Sequence, residues 1–201
     1  MASAPGELLA PTTVTAHGLL LRPLTEADEP EVALAMDDPG VLRWAVGRNV
    51  AATPLPLRAR TWLAPRLTGW ATGTAAFALT DAEDGAFLGY LGLRDVQRIP
   101  DQAVAGYWVT PAARGRAVAA RALDAAATWA FRRPSEGGLG LHRIVLDHAL
   151  DNIGSCRAAT RAGFAEEGVM RESFLEPDGS RRDSHLHARL ATDPSPDLGT
   201  W

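Results

Sequence analysis

Lysine is absent: all twenty basic residues of this 201-residue chain are arginine. Alongside 19 glycines and 14 prolines, that reflects a composition bias rather than a chemical role. Cysteine occurs once, at Cys156, which excludes an internal disulfide and a cysteine-based zinc site. No stretch approaches the roughly eighteen consecutive apolar residues of a membrane span. The N-terminus lacks a basic region followed by an apolar core, so no signal peptide is expected and the cytoplasm is the default location. A net charge of −4 leaves no basic footprint for nucleic acid. The remaining composition, 46% apolar and 22% charged, is that of one globular domain long enough to bury a core.

What is present reads as an alternation of helices and strands. Residues 1–12 read as a flexible N-terminus, 13–190 as a single domain, and 191–201 as a Pro-containing tail in which Trp201 is a candidate for docking. Val14–Leu24 reads as a first strand, with Gly18 permitting a local irregularity. Thr25 caps a helix over Glu26–Met36, ended by Asp38-Pro39-Gly40. A second helical stretch near 54–68 carries Leu57, Trp62, Leu63 and Leu67, and Pro65 must kink or end it. Strands follow over Thr74–Thr80, Phe87–Asp95 and Val104–Val109. A helix over 113–132 places Val118, Ala122, Ala125 and Trp129 on one stripe, and its alanines suit close packing on a sheet. Leu141–His148 is a buried strand whose alternation puts Ile144, Leu146 and His148 on one face. Asn152–Arg161 is a short helix stopped by Gly163. Strands over 164–175 and 181–190 flank the hairpin signal Glu176-Pro177-Asp178-Gly179-Ser180.

The stretch Tyr107–Ala119, YWVTPAARGRAVA, carries the first chemical signal. A strand meets Thr110-Pro111, and an Arg-Gly-Arg turn then opens the Ala-rich helix. The first N–H groups of a helix lack carbonyl partners and sit at the positive end of its dipole, so a diphosphate fits there. Arg114 and Arg116 add charge and bidentate hydrogen bonding. An ordinary strand-to-helix turn with solvated arginines would look the same.

The second signal is Asn152, Ser155 and Arg157, followed by Gly163, Phe164, Glu167 and Gly168. With the turn Arg114-Gly115-Arg116-Ala117-Val118-Ala119 and the opening Leu19–Asp28, the chain resembles the GNAT N-acetyltransferase superfamily, most closely its RimJ/RimL-type branch. The resemblance spans about residues 13–190. It implies an α/β (α+β) fold: a mixed, mostly antiparallel, splayed sheet of about seven strands flanked by helices. It also implies acetyl-CoA as co-substrate, no metal, and a primary amine as acceptor, either a protein N-terminus or a small molecule such as an antibiotic or amino acid. Homodimers are common in the family.

The resemblance further assigns roles. The pyrophosphate would lie on residues 114–119, and the pantetheine would pair like an extra strand along Tyr107, Trp108 and Val109. The Val109 N–H would polarise the thioester carbonyl. One departure is Ala117, where the family usually has glycine, whose freedom lets backbone approach phosphate; weakened CoA binding is the expectation. Asn152 matches the residue that hydrogen-bonds pantetheine, and Ser155 the hydroxyl that protonates the leaving thiolate. Simple N-capping of the helix is the alternative for both, and the motif match favours the functional roles. Other branches use a tyrosine for that proton, but neither Tyr90 nor Tyr107 falls in the matching segment.

His148, at its strand's end, is a candidate proton relay or a histidine supporting the turn. Cys156 has no obvious base beside it and reads as packing. His185 and His187 share a strand face, but with no third ligand evident they do not suggest a metal. Glu172, Asp147 and Asp101 are candidate bases that no spacing separates. Trp44, Trp62, Trp70 and Phe174 are candidates for an apolar acceptor wall. A rival reading, motivated by Ala117 and the missing base, is an acyl-CoA-binding or regulatory protein with weak or lost catalysis. A Rossmann-type nucleotide site is set aside, because the glycine-containing turn follows several strands rather than the first.

Overall fold

The computed structural model describes residues 9–96 and 98–199; the expectation of a flexible start falls largely on residues outside these, as does Trp201. Eight strands form one sheet in the order β1-β2-β3-β4-β5-β6-β8-β7. They are β1 (Val14–Ala16), β2 (Leu19–Pro23), β3 (Ala75–Asp81), β4 (Phe87–Arg94), β5 (Gln102–Val109), β6 (Arg143–Ala149), β7 (Ala165–Leu175) and β8 (Arg181–Leu190). Every neighbouring pair is antiparallel except β5–β6. The helices are α1 (Glu29–Ala35), α2 (Pro39–Trp44), α3 (Arg48–Ala51), α4 (Leu55–Leu67), α5 (Val118–Phe131) and α6 (Ile153–Arg161). No helix among the described residues is long and apolar enough to cross a membrane.

The count is eight rather than about seven because Val14–Leu24 is a hairpin and not one strand. His17 and Gly18 both take positive φ, 54° and 71°, the two-residue turn that matches the right-handed twist of a strand pair. Two other boundaries move for local reasons. The first predicted helix begins as a 3-10 turn over Glu26–Asp28, with Asp28 accepting from the Thr25 backbone at 2.8 Å. The Ala-rich helix starts at Val118, five residues later than the periodicity suggests, because Gly115 (φ 77°) and Ala117 (φ 53°) are left-handed. Pro65 lies in the last turn of α4, which ends at Leu67. The short helices α2 and α3 are additions; Asp38 caps α2 by accepting from the Val41 N–H at 2.8 Å.

Both sheet faces are covered, so the central strands are apolar on each side. Phe77, Leu79, Leu91 and Leu93 face α5, while Ala76, Ala78, Tyr90 and Trp108 face α1–α4. On that second face Trp62 of α4 meets Tyr90 and Trp108 edge-on, with ring centroids 4.8 and 5.5 Å apart. Truncating a buried aromatic of this kind costs about 3–5 kcal/mol. Helix α5 lies flush on the other face through Ala122, Ala125, Ala126 and Ala130, all buried. It also carries the buried carboxylate Asp124. His17 Nε2 reaches Asp124 at 2.7 Å, and Arg189 of β8 donates to it at 2.6 Å. One carboxylate therefore ties α5 to both the first hairpin and the final strand.

The sheet opens in its middle. Strands β5 and β6 pair only through Gln102–Arg143, Ala103–Ile144 and Val104–Val145. Beyond Val104, β5 continues alone on that side to Val109, and β6 continues to Ala149 paired only with β8.

Candidate active site

Three segments converge on this opening: the free edge of β5, the turn before α5, and the N-terminus of α6. Thr110 N–H donates to Leu88 O at 2.9 Å across the β4 side. By the two-residue period of an antiparallel ladder, Trp108 and Gly106 also direct their backbone groups toward β4, and Tyr107 and Val109 direct theirs toward the gap. Their N–H and C=O groups form an unfilled strand edge. Gly89 makes the end of this edge attainable, since a Cβ there would sit 2.3 Å from Trp108 O and 2.9 Å from Val109 Cα. Its φ of 154° belongs to the bulge that shifts the β3–β4 register. The Trp108 side chain is not part of the opening. It is buried on the α4 side, so only its backbone belongs to this edge.

The turn before α5 is an anion cradle by geometry. Arg114 is extended, Gly115 is left-handed, and Ala117 (φ 53°, ψ 19°) caps the helix in the left-handed conformation. Among the described residues, no backbone acceptor takes the N–H groups of Gly115, Arg116, Ala117, Val118, Ala119 or Ala120. A cleft of about 590 Å³ opens beside them, lined by Gly18, Asp81, Glu83, Gly115, Arg116 and Arg121. The two arginines of the turn are already paired. Arg114 holds Asp38 in a bidentate contact, and Arg116 lies 3.3 Å from Asp81. The hydrogen bonds from Arg114 hold the Asp38 carboxyl below its ordinary range. Both guanidinium groups are half exposed, so an anion on the turn competes with these carboxylates for them.

At the N-terminus of α6, Asn152 is the cap: its Oδ1 accepts from the Ser155 N–H at 3.2 Å. The capping reading is thus realised for Asn152. Ser155 is different, because its hydroxyl faces across the gap. Tyr107 Oη lies 2.7 Å from Ser155 Oγ and 3.2 Å from Ser155 O. Burial pushes the Tyr107 phenol up to about 12, so it remains a neutral hydrogen-bonding group at physiological pH. The family-segment comparison passes over Tyr107. The signal that finds it is strand alternation, which puts it on the same face of β5 as Ala103 and Ala105, toward α5 and α6.

His148 is buried beside Ile144 and Leu146, on the predicted face. Its Nδ1 lies 2.9 Å from Ala149 O and its Nε2 3.2 Å from His187 Nε2. Burial lowers its basicity, with the neighbouring imidazoles acting in the same direction. The premise that His185 and His187 lack further ligands does not hold: His148 and Cys156 join them, with one potential donor atom of each within 4.8 Å of the others. The candidate bases do not converge. Asp101 (φ 57°) and Glu172 (φ 51°) sit at backbone irregularities, and Asp147 is exposed on β6.

The proposed apolar wall divides. Trp62 and Trp70 are core. Trp44 and Phe174 meet, with ring centroids 5.9 Å apart, where α2 approaches the terminal hairpin. Arg43 stacks on Trp44 at 3.9 Å and donates to Glu176 and Asp151. The other motif residues are structural: Gly163 (φ 78°) ends α6, Phe164 is buried, and Glu167 pairs with Arg143.

Residues 18–165 match the family described as Acetyltransferase (GNAT) domain. "Putative ribosomal N-acetyltransferase YdaF" of Bacillus subtilis (strain 168) is 29% identical over 107 residues, 53% of this chain and 55% of that protein. The match thus spans about half the length of that curated relative. Among solved structures, RimL, a ribosomal L7/L12 alpha-N-protein acetyltransferase in complex with coenzyme A, superposes with a TM-score of 0.72. It is 20% identical, with 89% of this chain and 98% of that chain covered. RimJ of Mycobacterium smegmatis, in complex with a CoA disulfide, gives a TM-score of 0.72 at 24% identity, covering 92% and 88%. Those two likenesses establish the fold, and the match over residues 18–165, well over half of the sequence, establishes the family: this chain belongs to the GNAT acetyltransferases.

Proposed function

We propose that the protein is an acetyl-CoA-dependent N-acetyltransferase whose acceptor is the primary amine of a protein N-terminus. One observation carries the reading: the unfilled edge of β5 from Ala105 to Val109 runs up to a turn in which, among the described residues, six backbone N–H groups have no backbone acceptor. A pantetheine arm with amide groups and a diphosphate is the ligand chemistry that fits both halves. The names of YdaF and RimL support a ribosomal-protein acceptor.

Acetyl-CoA supplies an activated acyl group on a thiol leaving group. The chain's residues do the rest by positioning and by handling charge. The backbone of 115–120 holds the diphosphate, with Arg116 exchanging Asp81 for phosphate. The edge of β5 orients the arm. The Val109 N–H donates to the thioester oxygen as the amine nitrogen attacks the carbonyl carbon. When the C–S bond breaks, Ser155 Oγ gives its proton to the sulfur, and the proton lost by the amine returns to Ser155 through water. Tyr107, neutral and 2.7 Å away, fixes the Ser155 hydroxyl in the gap. His148 is buried with Nδ1 on Ala149 O and Nε2 turned toward His187, so the proton transfer is assigned to Ser155.

The test combines calorimetric titration of acetyl-CoA with a thiol-release assay on a panel of N-terminal peptides. Wild type and Ser155→Ala are expected to bind acetyl-CoA alike, while Ser155→Ala loses about 10²–10⁴ in kcat. Equal turnover by the two would remove Ser155 as the acid. Binding without turnover on any peptide or small amine would favour the acyl-CoA-binding alternative.

A further inference from the structure

We propose that His148, His185, His187 and Cys156 form a binding site for a divalent transition-metal ion of zinc-like preference, beside the opening but built from different side chains. The register of β6 and β8 creates it. His148 pairs with His185, and His187 lies two residues further along β8. Helix α6 lays Cys156 over them, and one potential donor atom of each residue comes within 4.8 Å of the others.

The hydrogen bonds point to a metal rather than to mutual packing. His148 Nδ1 lies 2.9 Å from Ala149 O, and His187 Nδ1 lies 3.2 Å from Phe164 O. A carbonyl accepts only, so both Nδ1 atoms carry hydrogens. Each neutral ring then has its lone pair on Nε2, and these two Nε2 atoms face each other at 3.2 Å with both rings buried. Two lone pairs in that position repel unless a cation lies between them. Backbone carbonyls fixing the Nδ1 tautomer are the usual support for imidazoles that ligate through Nε2.

His185 adds an independent observation. Its Nδ1 is buried without a hydrogen-bond partner among the described residues, while its Nε2 lies 3.6 Å from Glu166 Oε1. The carboxylate stands on the outer side of the ring, just beyond hydrogen-bond reach, and closing by a few tenths of an ångström on metal binding would make it the carboxylate–histidine pair that leaves the inner nitrogen to ligate. The single thiol completes a three-nitrogen, one-sulfur donor set suited to tetrahedral zinc. In such a site, ligand atoms stand about 3.3–3.6 Å apart for bond lengths of about 2.0–2.3 Å. The His148–His187 pair, at 3.2 Å, stands about 0.1 Å short of this range, and the other donor atoms, within 4.8 Å of one another, need to close by at most about 1.5 Å, within reach of side-chain rotation.

The experiment uses the full chain without a polyhistidine tag, stripped with chelator and titrated with Zn²⁺, then with Co²⁺ as a spectroscopic probe. One equivalent is expected to bind. The Co²⁺ form should show the intense visible bands of a tetrahedral site and a thiolate charge-transfer band. Cys156→Ser should abolish that charge-transfer band while the protein stays folded by circular dichroism. Glu166→Gln should weaken Zn²⁺ by about tenfold or more, and His142→Ala, outside the cluster, should change nothing. Should wild type bind no more Zn²⁺ than His185→Ala, or Co²⁺ show weak octahedral bands indifferent to Cys156→Ser, the site does not exist and a proton shared between His148 and His187 accounts for their geometry.

Discussion

Ala117→Gly tests whether the left-handed alanine at the head of α5 is a flaw or a finished part of the cradle. Ala117 adopts φ 53° and ψ 19° as the N-cap of α5. An L-residue with a Cβ in that region is disfavoured by about 1–2 kcal/mol, which glycine escapes. Against this, glycine has more freedom to lose on folding, which costs about 0.4–1 kcal/mol. The net expectation is a stabilisation of about 0.5 kcal/mol, or about 1–2 °C in Tm for a chain of this size. Chemical denaturation should shift in midpoint with an unchanged slope. Acetyl-CoA affinity should stay within about threefold of wild type, because the turn already holds the shape that glycine would give it. Ala117→Val, with a branched Cβ, should instead destabilise by about 1–3 kcal/mol. Tightening of CoA binding beyond about tenfold would refute the reasoning and restore the view that Ala117 degrades the loop. A loss of stability in Ala117→Gly would show that the left-handed conformation is not populated.

Other expectations address different parts of the molecule. Asp124→Ala removes the carboxylate partner of the buried Arg189 and should cost about 3–5 kcal/mol in denaturant melts; Asp124→Leu combined with Arg189→Met should recover part of it. Gly89→Ala drives a Cβ into Trp108 O, so it should lower stability and, in the thiol-release assay, lower kcat more than it weakens CoA binding, because Val109 moves. Tyr107→Phe keeps the ring but releases the Ser155 hydroxyl; kcat should fall with CoA affinity nearly unchanged, and the wild-type kcat–pH profile should show no limb from Tyr107 up to pH 10. For Asp28, burial alone would raise the pKa, but hydrogen bonds from Arg22 and Thr25 hold the carboxyl below its ordinary 3.8. Its contribution is therefore complete above that value and lost as pH falls through the lower folded one. Between pH 5 and 2 the wild type should lose stability more steeply than Asp28→Asn, and parallel slopes would contradict the assignment.

The parts of this site that were legible in the sequence are those whose chemistry is local. The Arg-Gly-Arg turn, the Asn152 cap and the Gly163 stop are each set within a few residues, and each appears where the sequence places it. Contacts between distant residues were not legible. Tyr107 and Ser155 are 48 positions apart and meet only because β5 and β6 separate after three pairs. Nothing near Asp124 in the sequence points to its partners, which the first hairpin and the last strand bring to it as His17 and Arg189.

Helix α6 shows how the two kinds of information combine. Ser155 and Cys156 are consecutive, so their side chains point about 100° apart around the helix axis. One direction leads to Tyr107 on β5, and the other to the histidines of β6 and β8. The sequence fixes that divergence, because a helix of any register produces it, but it cannot say what either direction meets. Strand order supplies the answer, since β8 is inserted between β6 and β7 and carries His185 and His187 beneath the helix. A single turn of α6 therefore holds both the proposed proton donor and the proposed thiolate ligand. A cation bound to Cys156 would brace the backbone that presents Ser155, so Zn²⁺ occupancy should slow amide exchange at Ser155 and Cys156. Exchange there that ignores Zn²⁺, in protein shown to have bound it, would mean that the two sites share a helix without sharing mechanics.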